Sequence, residues 1–148
     1  MRPNRPSSGG IRLPDNPLWS AEIHRHGPEL LITHMKGVAN GDFAERVLMQ
    51  LKRELNGSPV DWIPDATGIT KADSTLFKPA SEVLREFKLG GGREVVAVIR
   101  NPMIVMAART ISFTSKMIGG AIIEVVESLD EAHRFLARKR QERLGAHP

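Results

Sequence analysis

The spacing of apolar residues changes along this chain, and each change predicts an element. In WSAEIHRH (19–26), Ala21, Ile23 and Arg25 alternate with Glu22, His24 and His26. In ELLITHMKG (29–37), Leu30, Leu31 and Ile32 are adjacent. Alternation predicts a strand with one covered face, and a continuous apolar run predicts a strand covered on both. Gly27-Pro28 between them supplies a turn, so the pair predicts an antiparallel hairpin. The period then lengthens. After Asn40-Gly41-Asp42, the residues Phe43, Val47, Leu48, Leu51 and Leu55 recur at helical spacing, with Glu45, Arg46, Lys52 and Arg53 outward. Asn56-Gly57 supplies the stop.

Val60, Trp62 and Ile63 predict a short strand ending near Pro64. Leu76, Phe77, Ala80, Val83, Leu84 and Phe87 predict a second amphipathic helix, closed after Leu89 by Gly90-Gly91-Gly92. Those glycines follow a helix and lack a Lys-Ser/Thr pair, so they read as a cap and turn rather than a phosphate loop. REVVAVIR (93–100) is a strand with a continuous apolar run. Asn101-Pro102 places a cap before a proline at the first helical position. The helix it opens, MIVMAARTISF (103–113), is mostly apolar, carries Met103 and Met106, and reads as a core helix. AIIEVV (121–126) predicts the last strand. Ser128-Leu129-Asp130-Glu131 is a capping box for a final helix that turns Ala132, Phe135 and Leu136 inward.

The order β-β-α-β-α-β-α-β-α predicts an α/β fold. Its mixed sheet has about five strands, a hairpin followed by parallel strands, and about four helices. The length of 148 residues suits one domain, expected over 18–143. Residues 1–17 hold four prolines and three arginines and predict a disordered basic arm, and 144–148 predict a tail.

Composition narrows the chemistry. There is no cysteine, which excludes disulfides, thiolate catalysis and cysteine zinc sites. The N-terminal residues lack the apolar stretch of a signal peptide, and 103–113 is too short to span a bilayer, so a cytoplasmic protein without a membrane span is expected. The net charge is +4, partly from Arg138, Lys139, Arg140 and Arg143. This cluster reads as a solvated helix end suited to the dipole, and no nucleic-acid partner is expected. His24, His26 and His34 could bring imidazoles together across the hairpin, but no acidic residue is spaced to complete a metal site, so no metal is assigned. Ser74 and Thr75 have no general base fixed near them by the sequence, His133 included. Asp65-Ala66-Thr67-Gly68 carries one residue too many for the Asp-Thr-Gly of aspartic proteases. No catalytic residue and no cofactor is assigned. Asp73, Ser74 and Thr75 are all good helix caps, and any of them can start the helix to Leu89. Pro79 then falls near the end of the first turn and predicts an irregular start.

The stretch DATGITKADSTLFKPASEVL resembles the signature of STAS (SpoIIAA-like) domains, the family of bacterial anti-sigma factor antagonists and stressosome proteins. That family has Asp-x-Ser/Thr-Gly-Val at a strand end, matched here by Asp65, Thr67, Gly68 and Ile69. It then has Asp-Ser-Ser/Thr-Gly at a helix start, matched by Asp73, Ser74 and Thr75. RNPMIVMAARTISF and AIIEVVESLDEAHRFL match its later elements, so the resemblance covers about residues 19–140. Leu76 stands where the family usually has glycine, and Pro79 follows it. These departures mark a divergent member, nearer the broad STAS/SEC14-like group. The resemblance implies a non-enzymatic domain in bacterial signalling that binds a regulatory protein, such as an anti-sigma or serine/threonine-kinase-type partner. Binding would use the 65–80 loop and the helix start: Asp65, Thr67, Gly68, Asp73, Ser74, Thr75 and Lys78. It further implies phosphorylation at Thr75, with Ser74 beside it, as a switch. The alternative within the same group is a domain that binds a small ligand or lipid head group. Neither the particular partner nor the oligomeric state follows from the resemblance.

Overall fold

The computed structural model describes residues 18–145; the predicted arm, 1–17, and the last residues of the predicted tail lie outside them. The chain runs β1 (Trp19–Arg25), β2 (Leu30–Ala39), α1 (Gly41–Glu54), β3 (Val60–Ala72), a 3-10 turn (Ser74–Leu76), α2 (Phe77–Leu89), β4 (Gly92–Val98), α3 (Pro102–Met117), β5 (Ile123–Val126) and α4 (Leu129–Gly145). The strands lie in the order β1-β2-β3-β4-β5, with β1 and β2 antiparallel and every later pair parallel. The predicted mixed α/β fold is therefore the observed one.

Strand alternation splits the core in two. Leu31, Met35, Trp62, Val95 and Ala97 point toward α1, α2 and α3, where they meet Phe43, Leu51, Leu84, Phe87 and Ile111. Ile32, Ile63, Val96 and Val98 point the other way and meet Ala132 and Leu136 of α4. The two faces explain why β4 reads as a continuous apolar run. On the α4 face nothing apolar among the described residues covers β1, and its residues there, Ser20, Glu22 and His24, are exposed.

Three features differ from the sequence reading. First, β3 does not end near Pro64 but continues to Ala72. Proline lacks a ladder donor, which made it read as a stop. The long β2 carries the pairing past it, from Thr33 opposite Pro64 to Ala39 opposite Ala72. The register slips between His34 and Lys36, and here Gly68 is needed: a Cβ on it would lie 2.6 Å from the Met35 carbonyl oxygen. Residues 65–72 are thus strand, not loop. Second, α4 runs on to Gly145, past the expected domain end at 143.

Third, the basic end of α4 is not simply solvated. Arg140 Nη2 lies 3.6 Å from Oδ2 of Asp61, which is fully buried in β3, and Arg143 Nη1 lies 3.7 Å from Glu94 Oε2. Arg93 Nη2 reaches both Glu29 Oε1 at 2.9 Å and Asp61 Oδ2 at 3.5 Å, and the Glu94 N–H donates to Asp61 Oδ1 at 3.2 Å. Burial pulls the Arg93 pKa down, but the hydrogen bond to Glu29 and the Asp61 charge outweigh it and raise it. The Arg93 hydrogen bond and charge hold Glu29 below its ordinary value. This charge network ties α4, β3, β4 and the residue before β2 together at the end of the sheet where β3 and β4 begin.

Candidate functional site

Where β3 ends, the chain turns into α2 through an Asp-Ser-Thr cap. The Asp73 N–H donates to the Ala39 carbonyl at 2.8 Å, which holds the end of β3 to the end of β2. Asp73 has extended backbone angles, and its Oδ1 accepts the Thr75 N–H at 2.8 Å. Asp73 is therefore the cap among the three candidates. One 3-10 turn follows before α2 begins, so the predicted irregular start is present. Pro79 sits third in α2, where first-turn amides lack helical acceptors. Leu76 is buried in the core. The departure from glycine at this position is thus a packing residue.

The start of α1 meets this turn. The Gly41 N–H donates to Thr75 Oγ1 at 3.0 Å, and a Cβ on Gly41 would lie 3.2 Å from the Thr75 carbonyl oxygen. Asn40 caps α1 by accepting the Phe43 N–H at 2.9 Å. Two helix starts, each a partial positive charge, therefore converge on an exposed hydroxyl pair. The Ser74 hydroxyl makes no hydrogen bond among the described residues, and Lys78 is exposed in the first turn of α2. The hydrogen bonds from the Thr75 amide and hydroxyl hold the Asp73 carboxyl below its ordinary value, with a smaller contribution from Lys71.

A carboxylate whose folded pKa is depressed stabilises the fold above its unfolded value, near 3.8, and that contribution is lost as pH falls through the lower folded value. Below about pH 4 the 3-10 turn is expected to fray before the core does. Asp73→Ala is expected to speed amide exchange at Thr75 and Leu76 at neutral pH, whereas Asp73→Asn retains the cap. Hydrogen exchange resolved by residue checks both.

The other half of the motif lies elsewhere. Asp65 Oδ1 accepts from the Thr67 N–H at 3.1 Å and from Thr67 Oγ1 at 2.8 Å, and its Oδ2 is 3.4 Å from His34 Nδ1 on β2. Eight residues of strand rise separate Asp65 from Asp73 by at most roughly 26 Å. Asp65, Thr67 and Gly68 thus shape the β2–β3 ribbon, while Asp73, Ser74, Thr75 and Lys78 form the exposed helix start. Sequence reasoning missed Gly41 and Lys71, and it considered His34 only with the other histidines rather than beside Asp65. The signal for Gly41 was present in Asn40-Gly41-Asp42, but nothing local indicated that this turn touches Thr75, 34 residues away.

Two of the three histidines come together: the His24 and His34 rings lie 6.0 Å apart, with His24 Nε2 3.6 Å from Glu22 Oε1. Among the described residues, no group of three His, Asp or Glu is placed to hold a metal ion. His133 is exposed on α4, across the sheet from Thr75. Among the described residues, no helix is long and apolar enough to cross a membrane.

No family model matches the sequence, and no curated relative was found. Solved structures do match. One is an uncharacterised protein of the DUF3478 family with a SpoIIAA-like fold from Shewanella loihica, 15% identical, with TM-score 0.53, covering 86% of this chain and 99% of that one. Another is an anti-sigma factor antagonist from Mycobacterium paratuberculosis, 16% identical, with TM-score 0.56, covering 78% and 92%. A third is the anti-sigma factor antagonist SpoIIAA in its unphosphorylated form, 10% identical, with TM-score 0.52, covering 80% and 98%. The chain has a SpoIIAA-like fold.

Proposed function

We propose that this chain is a non-enzymatic, cytoplasmic regulatory domain. It binds a protein partner through the turn after β3 and the start of α2. A phosphate on Thr75 or Ser74 switches that binding. The carrying observation is the Asp73-capped turn, which exposes both hydroxyls where the starts of α1 and α2 converge.

The physics of the proposed switch is local. A phosphate adds between one and two negative charges and strong acceptors. At a helix start those charges are compatible with the fold, because backbone N–H groups and the helix dipole favour them. On an exposed face the same charges repel an acidic partner or must be desolvated when it docks. Binding changes while the domain stays folded. Ser74, with its free hydroxyl, is the more accessible acceptor. Thr75 is the position the family resemblance selects.

The SpoIIAA-like fold of two solved anti-sigma factor antagonists supports a partner-binding reading. The ligand-binding alternative fits the interior less well. The space between the sheet and α1–α3 is about 120 Å³ and wholly apolar. An apolar cavity of about 150 Å³ holds a benzene-sized molecule, so this one is too small for a lipid chain and has no polar lining for a head group; a small ligand or head group would need a surface site.

Phosphosite mapping on the protein purified from its native cells tests the switch. The expected result is phosphate on Ser74 or Thr75. Phosphate confined to other residues, or none under any growth condition, would contradict it.

A further inference from the structure

The sequence reads α3 as a core helix, but only part of it is one. Ile104, Ala107, Ala108, Ile111 and Ser115 are buried. Met103 is 72% exposed, Met106 66%, Phe113 66% and Met117 72%. With Thr110 these residues fall at steps of three, four, three and four, the a/d spacing of a coiled-coil seam. Thr110 Oγ1 is bonded back to the Met106 carbonyl at 3.1 Å, which satisfies its hydroxyl within the helix. The seam runs about 21 Å along α3. Monomeric proteins rarely leave so continuous an apolar stripe uncovered.

We propose that this seam is a docking site for an amphipathic helix of another protein, one with acidic residues flanking its apolar stripe. Charge decides the occupant. Helix α3 carries no Asp or Glu, and its only charges are Arg109 and Lys116, seven residues apart and so on the same flank of the seam. Both are exposed, and neither is ion-paired among the described residues. An antiparallel second copy of α3 would set these cations against their own counterparts. A parallel copy would offer Ala107 and Thr114 instead. Neither arrangement satisfies the charges, whereas an acidic helix does.

A membrane surface fits less well, because an interfacial helix is rich in Lys and Arg on its polar face, and α3 carries only Arg109 and Lys116. A groove of about 440 Å³ at the N-terminal end of the seam joins Met103 and Met106 to Lys71 and Phe77, beside the start of α2. Lys71 adds a third cation to the path. The groove also links the seam to the proposed switch: a phosphate at Ser74 or Thr75 would repel an acidic partner. The docking site itself does not rest on that switch.

Two labelled synthetic peptides of about 21 residues test the proposal, each three heptads with Leu at a and d, one with Glu and one with Lys at e and g. Fluorescence anisotropy with the full chain is expected to show the Glu peptide binding at least about tenfold more tightly than the Lys peptide, and weakening at high salt. Arg109→Glu with Lys116→Glu is expected to reverse the preference, an outcome that a purely structural role would not give. Phe113→Ser is expected to weaken binding of the Glu peptide about tenfold with an unchanged far-UV spectrum, because the ring is exposed. No binding, equal binding of both peptides, self-association that Phe113→Ser abolishes, or preferential binding to anionic phosphatidylglycerol vesicles would each overturn the proposal. None of these outcomes bears on whether Thr75 or Ser74 is phosphorylated, so the two readings fail separately.

Discussion

Asp61→Ala is expected to destabilise the protein by about 3–5 kcal/mol, a large fraction of the stability of a domain of this size. Asp61 is fully buried, and its two oxygens serve Arg93, Arg140 and the Glu94 N–H. Removing the carboxylate leaves Arg93 partly buried beside Glu29 alone and removes the ion pair between β3 and α4. The penalty comes mainly from stranded partners rather than from the pair's own net strength. Asp61→Asn keeps an acceptor for the Glu94 N–H and should lose less. Urea unfolding of the three proteins gives the comparison. A loss below about 1 kcal/mol for Asp61→Ala would mean that the network is ornamental.

Much of the fold was legible because local and global signals agreed. The hairpin, the four helices and the run of parallel strands each follow from apolar period and capping residues. The Ser128 capping box is present, with Ser128 Oγ accepting from the Glu131 N–H at 3.1 Å, although Glu131 reaches back to the Glu127 N–H rather than to that of Ser128. What was not legible depends on partners distant in sequence. Pro64 looks like a stop until β2 is known to run beside it. Asp61 looks like one polar residue in VDWI until Arg140 arrives from α4. Arg140 itself looks like a solvated helix end. Met103 and Met106 look like core because apolar character does not say which side of a helix the fold covers. At the candidate site, the cap by Asp73 could be read locally, but the meeting of Thr75 with Gly41 could not.

Thr75→Glu is expected to weaken partner binding by at least about tenfold, roughly 1.4 kcal/mol or more, while Thr75→Ala leaves it within a few-fold of the parent. The glutamate places a permanent charge beside Asp73 on an exposed surface. It lies near the start of α1, so the fold tolerates it. Alanine removes the hydroxyl and the hydrogen bond from the Gly41 N–H but adds no charge to the face. Its cost should fall on local stability at the start of α1 rather than on recognition. Thr75→Glu should therefore keep the parent's unfolding midpoint more closely than it keeps the partner.

The most direct test is quantitative capture from native lysate on four immobilised forms of the full chain: the parent, Thr75→Ala, Thr75→Glu and, as a fourth, Ser74→Glu. The account predicts a protein retained by the parent and by Thr75→Ala, and lost from Thr75→Glu. A partner retained equally by all four would contradict a phosphate-controlled binding face at this turn.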